Sequence, residues 1–526
     1  MKIERAVWIF VFALTAVRLA LLGTADLQFD EAHYWMWSER LAPAYFSKGP
    51  GVAFVMRAST MIFGATEFGV RFFSPLLGAG TSLLLFYMAR KFFDARAGLW
   101  AVIGLNATPI FNIGNFVMTI DPLSLFFWVA GMFAFWRVVE RSPQFSWHWL
   151  TVGASIGLGF LCKYTNALEL VSVIIVLTLI PKLRVEFRRP GFYFMLAIAI
   201  GCAVPPFTWN QQHAWITVAH LKSRGGIEGG LGIHPSEFVA FIGEHFLVYS
   251  PLIFLGVAVG VIALWERSWQ QPRRLFLMWF GLPVFAFYAL LSINKAAAPN
   301  WDALAFPSFG LLAIAFWRER LEASSAWRSM AGAALAIGLV MSALALDSDI
   351  LRSVGIPISR RDPADGWRGW KSATNAVEAL RNQTEAQTNQ KFFLIADSRD
   401  RASEISFYLH DKRAEGPNHP PCYLLESQAI ENQFSFWPRY DEFVARTPKG
   451  TPNPEEQTYT EENGVNLFTG RSALFIQEAG HKNAPHNIRA AFASTDRIAT
   501  IEVRRFGKVM RAWDVFLCRT YRTLPL

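Results

Sequence analysis

The chain has few charged residues and few cysteines for its 526 residues. Only 17% of the residues are Asp, Glu, Lys or Arg, whereas 52% are hydrophobic, which argues against a wholly soluble protein. The four cysteines form no CxxC pair and no Cys/His metal spacing, so no zinc site or redox motif is expected. A disulfide between Cys422 and Cys518, in the polar tail, stays open.

Nucleotide-binding motifs are also missing. The sequence contains neither a Walker A loop nor a convincing dinucleotide fingerprint. A net charge of +9 would suggest nucleic acid in a soluble domain. Here the basic residues gather in short loops between apolar runs, so we expect no nucleic-acid partner.

Long apolar runs dominate the chain up to about Ala345. They predict about eleven transmembrane helices: Ala6 to Gly23, 70–89, 97–117, 122–139, 147–163, 166–181, 191–208, 244–264, 275–291, 301–317 and 328–346. Basic residues concentrate in alternate loops, which places the N-terminus in the cytoplasm, and the odd helix count leaves the C-terminal part outside. We favour a retained first helix over a cleaved signal peptide, because the run is long and many spans follow.

Two domains are expected, a membrane domain at 1–346 and a small extracytoplasmic α/β domain at 347–526. Lys391 to Asp397 has the pattern of a buried strand, and Arg401 to Leu409 that of the helix after it. Residues 498–504 and 512–519 are predicted to be later strands. The apolar stretch 51–64 is short, so we expect it to be interfacial or re-entrant. The predicted fold class is mostly α, a polytopic membrane protein with a small α/β domain.

Acidic residues follow apolar runs at two places on the predicted outer side. Asp30-Glu31 comes after the first run and is followed by aromatic residues, including Tyr34, and Asp121-Pro122 lies between two later runs. Asp is also a common residue at helix starts, and for Glu31 capping and catalysis are equally favoured. Charge is costly near lipid, so acids converging on one membrane face favour a functional site.

Four cations fall on the same side, where basic residues are otherwise sparse: Lys48, Lys163, Lys295 and Arg224. Any one of them can be a surface residue whose charged end reaches water. As a group they can hold a phosphate. Arg224 belongs to a Gly-rich stretch at 223–232, which is either a gate over a site or a flexible linker.

Histidines in the outer segments carry no strong metal-ligand spacing. They are His33, His213, His220, His234 and His245. We interpret them as surface or packing residues and predict no metal ligands, while a divalent metal ion stays open as a cofactor.

Acids and cations together at the outer membrane surface suggest transfer of a group from a lipid phosphate. A carboxylate would act as general base on an acceptor hydroxyl, and the cations would stabilise the departing phosphate. This chemistry needs no nucleotide.

The motifs around these residues resemble those of GT-C membrane glycosyltransferases. The resemblance is to the bacterial branch, similar to glycosyltransferase families 39 and 83, that contains the aminoarabinose transferases of lipid A and related protein mannosyltransferases. It is most specific in the first third of the chain, and the stretches that carry it are Asp30-Glu31 with Tyr34, Tyr45 to Pro50, Phe63-Gly64 with Gly69 to Arg71, Asp121 to Leu123, Gly159 to Lys163, Pro299 to Trp301, Phe407 to Leu409 and Asn432 to Trp437.

The resemblance implies a GT-C fold and a polyprenyl-phosphate sugar donor, with inverting transfer on the outer face of the bacterial inner membrane. It implies that Asp30 is the base, Asp121 a second essential acid, and Lys48 a ligand of the donor phosphate. The family often reads Phe-Glu-Lys-Pro where this chain has Phe46-Ser47-Lys48-Gly49. An acid is therefore missing at Ser47, and aminoarabinose is not asserted as the sugar.

We therefore predict a polytopic glycosyltransferase with catalytic candidates Asp30, Asp121 and Glu31. Substrate-binding candidates are Lys48, Tyr34, Lys163, Arg224 and Lys295. The expected partners are the lipid-linked sugar donor, membrane lipids, and lipid A, another envelope glycan or protein as acceptor.

Two other classes stay open. A lipid-linked-sugar transporter or flippase would place charges near mid-membrane, often on broken helices, whereas the acids here lie at the ends of spans. A non-catalytic envelope assembly factor would tolerate the loss of Asp30 and Asp121.

Overall fold

The computed structural model describes residues 2–230, 232–355, 366–416, 418–425, 429–441 and 466–522. The chain forms two compact units. The first contains residues 1–23 and 42–364, and the second contains 24–41 together with 365–526. The stretch 24–41, expected in the membrane domain, thus belongs to the same unit as the C-terminal residues.

Helices make up the regular structure of the described residues up to 355. They are α1 (Lys2–Leu21), α2 (Phe29–Ser38), α3 (Gly51–Phe63), α4 (Glu67–Arg71), α5 (Phe73–Phe92), α6 (Ala95–Asn106), α7 (Pro109–Gly114), α8 (Ile120–Arg141), α9 (His148–Cys162), α10 (Leu168–Leu179), α11 (Pro190–Gln212), α12 (Ile216–Arg224), α13 (Pro235–Val248), α14 (Pro251–Ser268), α15 (Pro272–Leu291), α16 (Phe306–Ala323), α17 (Ser325–Leu346) and α18 (Asp349–Ser353). All except α2 belong to the first unit.

Six helical segments among the described residues are long and apolar enough to cross a membrane. They are Glu67–Phe92, Ile120–Arg141, Pro190–Gln212, Pro251–Ser268, Pro272–Leu291 and Ser325–Leu346. Shorter apolar helices occur at Gly51–Phe63, His148–Cys162 and Tyr164–Leu179. The chain is therefore a multi-pass membrane protein, as its hydropathy predicts. At 13 residues, α3 spans about 20 Å, less than a membrane crossing requires.

Two of the predicted spans are broken in the structure. The span expected at 97–117 is divided into α6 and α7, and Pro109 begins α7. The span expected at 244–264 is divided at Ser250, whose φ is 70°, and Pro251 begins α14. Proline lacks an N–H and fits the first helical position, so each of these residues starts a new helix. The average hydropathy of an apolar run does not reveal such breaks.

The helical hairpin α8–α9 positions one part of the candidate site. α8 packs against α5 and α9, and α9 packs against α11. At Gly153 of α9, an added Cβ would lie 2.7 Å from the Met195 carbonyl oxygen of α11, so the two helices approach closely. Small residues at such contacts are characteristic of membrane helices, where packing rather than water exclusion holds helices together. The hairpin brings the first residues of α8 and the last of α9 to the same end.

The second unit contains a five-stranded mixed sheet. Its strands are β1 (Phe392–Ala396), β2 (Cys422–Leu424), β3 (Ser472–Glu478), β4 (Phe492–Arg505) and β5 (Lys508–Tyr521), in the order β2-β1-β3-β5-β4. β1 is parallel to β2 and β3, whereas β5 is antiparallel to β3 and β4. Helices α19 (Trp370–Thr388), α20 (Arg399–Tyr408) and α21 (His486–Ala491) complete the unit, and α2 packs on α20. The predicted small α/β domain is confirmed.

The two cysteines of the sheet do not pair. Cys422 lies on β2 and Cys518 on β5, and both are buried free thiols. Two strands separate β2 from β5, which puts the thiols about 14 Å apart, far beyond disulfide reach.

Glu385 of α19 forms a charged contact in this unit. Its carboxylate accepts hydrogen bonds from Lys391 Nζ at 2.7 Å and Arg413 Nη2 at 2.9 Å. Burial raises the pKa of Glu385, but these hydrogen bonds outweigh it and lower the pKa to about 2. The folded state therefore favours the ionised carboxylate.

Candidate active site

Asp121 is held by two neighbours in the first unit. Its Oδ1 accepts a hydrogen bond from Lys163 Nζ at 2.9 Å, and its Oδ2 accepts one from Asn300 Nδ2 at 2.8 Å. Lys163 Nζ also donates to the Asn300 carbonyl oxygen at 2.8 Å. Lys163 is buried, whereas the Asp121 side chain is 28% exposed. The structure thus joins two of the predicted residues in an Asp121 cluster, formed by Asp121, Lys163 and Asn300.

Local sequence sets the geometry of this Asp121 cluster. Thr119 is the N-cap of α8, and its hydroxyl accepts a hydrogen bond from the Asp121 N–H at 3.3 Å. Pro122 occupies the first turn, where its missing N–H costs nothing, and the helix dipole favours an acid there. α9 ends at Cys162, and the extended backbone of Lys163 takes this residue out of the helix.

Lys48 lies in a turn that packs against the end of α9. The Tyr45 N–H donates to the Lys48 carbonyl oxygen at 3.0 Å. A Cβ added at Gly49 would lie 2.2 Å from the Leu161 carbonyl oxygen. The family that this chain resembles often has proline at this position. Glycine allows the turn to approach the chain just before Lys163.

Two further cations lie at residues 292–305, a segment here named the strap. The Arg224 guanidinium carbon lies 5.6 Å from the ring centroid of Trp301. Gly226 has a φ of 68°, which favours glycine, and a Cβ there would lie 3.1 Å from Lys295 Cδ. Asn294 Nδ2 donates to the Gly226 carbonyl oxygen at 3.0 Å. Arg224 and Lys295 therefore lie at the strap that also contributes to the Asp121 cluster.

The same asparagine fixes both ends of the Gly-rich stretch. Asn294 Nδ2 also donates to the Gly225 carbonyl oxygen at 3.2 Å, and its Oδ1 accepts from the Gly232 N–H at 2.7 Å. These hydrogen bonds give the loop defined attachment points on the strap. Its role as a gate stays a prediction.

Asp30 lies in the first turn of α2, in the second unit, and pairs with an arginine that sequence reasoning missed. Arg399 Nη2 lies 3.0 Å from Asp30 Oδ1, with side-chain exposures of 34% and 33%. Arg399 begins α20, directly after its N-cap Ser398 and close behind β1. Burial lowers the pKa of Arg399, but the carboxylates of Asp30 and Asp400 outweigh it and the net shift is upward. The C-terminal ends of parallel strands often bind ligands, and this was the available signal for Arg399.

Glu31 completes the cap of α2. The Gln28 N–H donates to Glu31 Oε2 at 2.9 Å, and Gln28 Oε1 accepts from the Asp30 N–H at 2.9 Å. This is a capping box, and the Glu31 side chain is fully buried. The cap contacts support the structural interpretation of Glu31, and a catalytic role for it stays a prediction.

The buried face of α2 carries Tyr34 and His33. Tyr34 packs edge-on against Trp37 with ring centroids 4.8 Å apart. His33 Nδ1 lies 3.0 Å from Ser403 Oγ, and the ring stacks on Phe434 at 5.7 Å. Burial, and then a nearby guanidinium, lower the pKa of His33, so its imidazole is neutral at pH 7. These contacts give His33 a packing role.

The predicted site residues thus fall into two groups. The first unit holds Asp121, Lys48, Lys163, Arg224 and Lys295, and the second holds Asp30, Glu31 and Tyr34. Within the described ranges, no group of three or more His, Cys, Asp or Glu side chains is arranged to hold a metal ion.

Comparisons with known proteins agree with this architecture. Residues 47–209 match the family model described as dolichyl-phosphate-mannose-protein mannosyltransferase. The fold is similar to the crystal structure of ArnT from Cupriavidus metallidurans in the apo state, with a TM-score of 0.58 and 18% identity over 98% of both chains. The undecaprenyl-phosphate-bound form of that protein gives a TM-score of 0.58 and 16% identity over 97% of both chains. The chain therefore has the GT-C fold of membrane glycosyltransferases.

Sequence relatives narrow the resemblance to a branch. The chain is 27% identical over 432 residues to the lipid A galacturonosyltransferase RgtD of Rhizobium johnstonii, covering 81% of this chain and 87% of that protein. It is 27% identical over 295 residues to undecaprenyl phosphate-alpha-4-amino-4-deoxy-L-arabinose arabinosyl transferase 2 of Proteus mirabilis, covering 53% of this chain and 50% of that protein. The predicted resemblance to the aminoarabinose-transferase branch is thus confirmed.

Proposed function

We propose that this protein transfers a sugar from a polyprenyl-phosphate donor to lipid A, or to another envelope glycan or protein, on the outer face of the inner membrane. The observation that carries the proposal is the alignment with a lipid A galacturonosyltransferase over 81% of the chain. The N-terminus lies in the cytoplasm and the sheet domain in the periplasm. An accessible thiol placed at exposed Lys482 of that domain should react with a membrane-impermeant maleimide in spheroplasts.

The proposed reaction is a direct displacement at the anomeric carbon. The acceptor oxygen forms a bond to this carbon while the bond to the donor phosphate oxygen breaks, with inversion. Asp30 takes the proton of the acceptor hydroxyl as general base. The Arg399 guanidinium fixes one oxygen of this carboxylate at 3.0 Å and so sets its orientation. The phosphate leaves with both electrons of the broken bond, and cations stabilise its charge.

The contacts of the cations support different roles for them. Lys163 already donates to Asp121 and to Asn300, so we assign it to holding Asp121. Lys48, Arg224 and Lys295 are the proposed ligands of the donor phosphate. We assign Tyr34 to the buried face of α2, where it supports the helix that carries the base.

Mass spectrometry of envelope lipids, glycans and proteins tests this proposal. Cells with the intact gene, a deletion and Asp30→Asn are compared at matched expression, with Asp26→Asn as a control for loss of a carboxylate on the same segment. One defined sugar should be lost in the deletion and in Asp30→Asn and kept in Asp26→Asn. A sugar lost only in the deletion would remove Asp30 from the role of base. An unchanged envelope in all strains would overturn the transferase proposal.

A further inference from the structure

A buried ion pair in the first unit has no part in the proposed displacement. His245 of α13 and Asp302 of the strap are both fully buried. His245 Nε2 lies 3.1 and 3.0 Å from the two Asp302 carboxylate oxygens, and its Nδ1 lies 2.6 Å from the Phe241 carbonyl oxygen. Both ring nitrogens face oxygen atoms, so the histidine and the carboxyl group form a hydrogen-bonded pair at salt-bridge distance.

Stability alone does not account for this pair. Four aromatic rings surround the imidazole, those of Phe241, Tyr249, Phe254 and Phe306, with centroids 4.5, 5.7, 5.4 and 5.7 Å from it. Burying a histidine–carboxyl pair in such surroundings is costly, and apolar residues of similar size often serve stability equally well. Asp302 precedes the short helix Ala303–Ala305, yet its side chain makes no capping hydrogen bond there. Its carboxylate is directed to His245 instead.

The pair restrains the strap next to the Asp121 cluster. Asn300, which supplies both strap contacts of that cluster, is separated from Asp302 by a single residue. On the other side of Asn300, the Ala296 N–H donates to Glu237 Oε2 of α13 at 2.8 Å. α13 therefore holds the strap on both sides of Asn300. Of the two attachments, the one through His245 is closer in sequence and fully buried.

We propose that His245 is a positioning residue. Its ion pair with Asp302 holds the strap so that Asn300 keeps the Asp121 carboxylate and the Lys163 ammonium in their transfer geometry. This inference rests on the proposed function for its kinetic readout, and a second readout is independent of catalysis.

A double-variant kinetic cycle tests the coupling. His245→Gln should lower kcat about tenfold, as expected for loss of a restraint worth one hydrogen bond to a charged group. In an Asn300→Ala background the same substitution should lower kcat less than threefold, because the residue through which His245 acts is already gone. Full multiplication of the two losses would overturn the proposal. Asp302→Asn keeps a hydrogen-bonding group of the same size, and the same kinetic cycle can be measured with this substitution in place of His245→Gln.

A matched variant separates positioning from general loss of stability. Glu186 is another buried carboxylate of the first unit, and it accepts a hydrogen bond from Ser142 Oγ at 2.7 Å. Glu186→Gln should lower the melting temperature without changing kcat. If kcat falls in Glu186→Gln in the same proportion as in His245→Gln, the proposed positioning role is wrong.

Spin-label mobility gives the readout that needs no product. Lys295 is exposed on the strap, and the four native cysteines are buried or half-buried. A nitroxide on Lys295→Cys should become more mobile when His245→Gln is added, and should not change with Glu186→Gln. An unchanged spectrum in His245→Gln would overturn the proposal. If the parent enzyme makes no glycosylated product, the proposed function fails. The spin-label measurement alone then tests whether His245 restrains the strap.

Discussion

Replacing Lys163 should separate stability from activity at the Asp121 cluster. The Lys163 ammonium and the Asp121 carboxylate are 2.9 Å apart, and the lysine side chain is 9% exposed. At an effective dielectric constant near 20, unit charges at that distance attract by about 6 kcal/mol, part of which offsets their desolvation. Lys163→Met leaves Asp121 as an uncompensated charge, which should lower the free energy of unfolding by about 3 kcal/mol.

The double variant Lys163→Met/Asp121→Asn should regain most of that stability, because no lone charge remains. It should stay inactive, with transfer reduced about 100-fold or more, which corresponds to about 2.7 kcal/mol of transition-state stabilisation. Thermal unfolding in detergent and initial rates of product formation measure the two effects. The partly exposed pair between Arg90 and Glu4 at 2.8 Å is the control, and Glu4→Gln should cost less than about 1 kcal/mol. Additive stability losses, or a double variant with wild-type transfer, would refute this reasoning.

Three other substitutions have distinct expected outcomes. Arg399→Met removes the guanidinium that orients Asp30 and should reduce transfer about tenfold, whereas Arg399→Lys should retain part of the rate; equal rates would contradict the assigned role. Glu385 has a folded-state pKa of about 2, below its ordinary 4.5, so it stabilises the fold above pH 4.5 and loses this effect as pH falls toward 2. Glu385→Gln should thus lower the melting temperature at pH 7 but not at pH 2, and a pH-independent difference would argue against it. Gly49→Pro should destabilise the protein, because its Cβ would lie 2.2 Å from the Leu161 carbonyl oxygen; an unchanged melting temperature would contradict that contact.

Hydropathy and residue pattern predicted the multi-pass helical unit, the strand at 391–397 and the two later strands at 498–504 and 512–519. They did not predict the breaks at Pro109 and Pro251, because an apolar run keeps its average hydropathy across a proline. They also assigned 24–41 to the membrane domain, whereas these residues belong to the second unit. The packing of α2 on α20 depends on contacts between residues remote in sequence.

The candidate site shows the same division between local and remote information. Asp121 and Lys163 were recognisable as charges at the ends of apolar runs, but their pairing through Asn300 requires the folded hairpin and strap. Arg399 lies 369 residues from Asp30 in sequence, and no local pattern connects them. The sequence indicates only an isolated histidine at His245, because its partner Asp302 lies 57 residues away.

The second unit is discontinuous in sequence, and this has a consequence for engineering. Its polypeptide consists of 24–41 and the residues from 365 onward. The chain therefore passes from the first unit to the second at residue 24, returns to the first at residue 42, and enters the second again at residue 365. Deleting only the C-terminal portion would remove Ser403 and Phe434 from the buried side of His33 and expose the aromatic face of α2. A chimaera built to exchange this unit between two relatives must therefore transplant both pieces together. A transplant of the tail alone would combine α2 from one parent with α20 from the other and disturb the surroundings of Asp30.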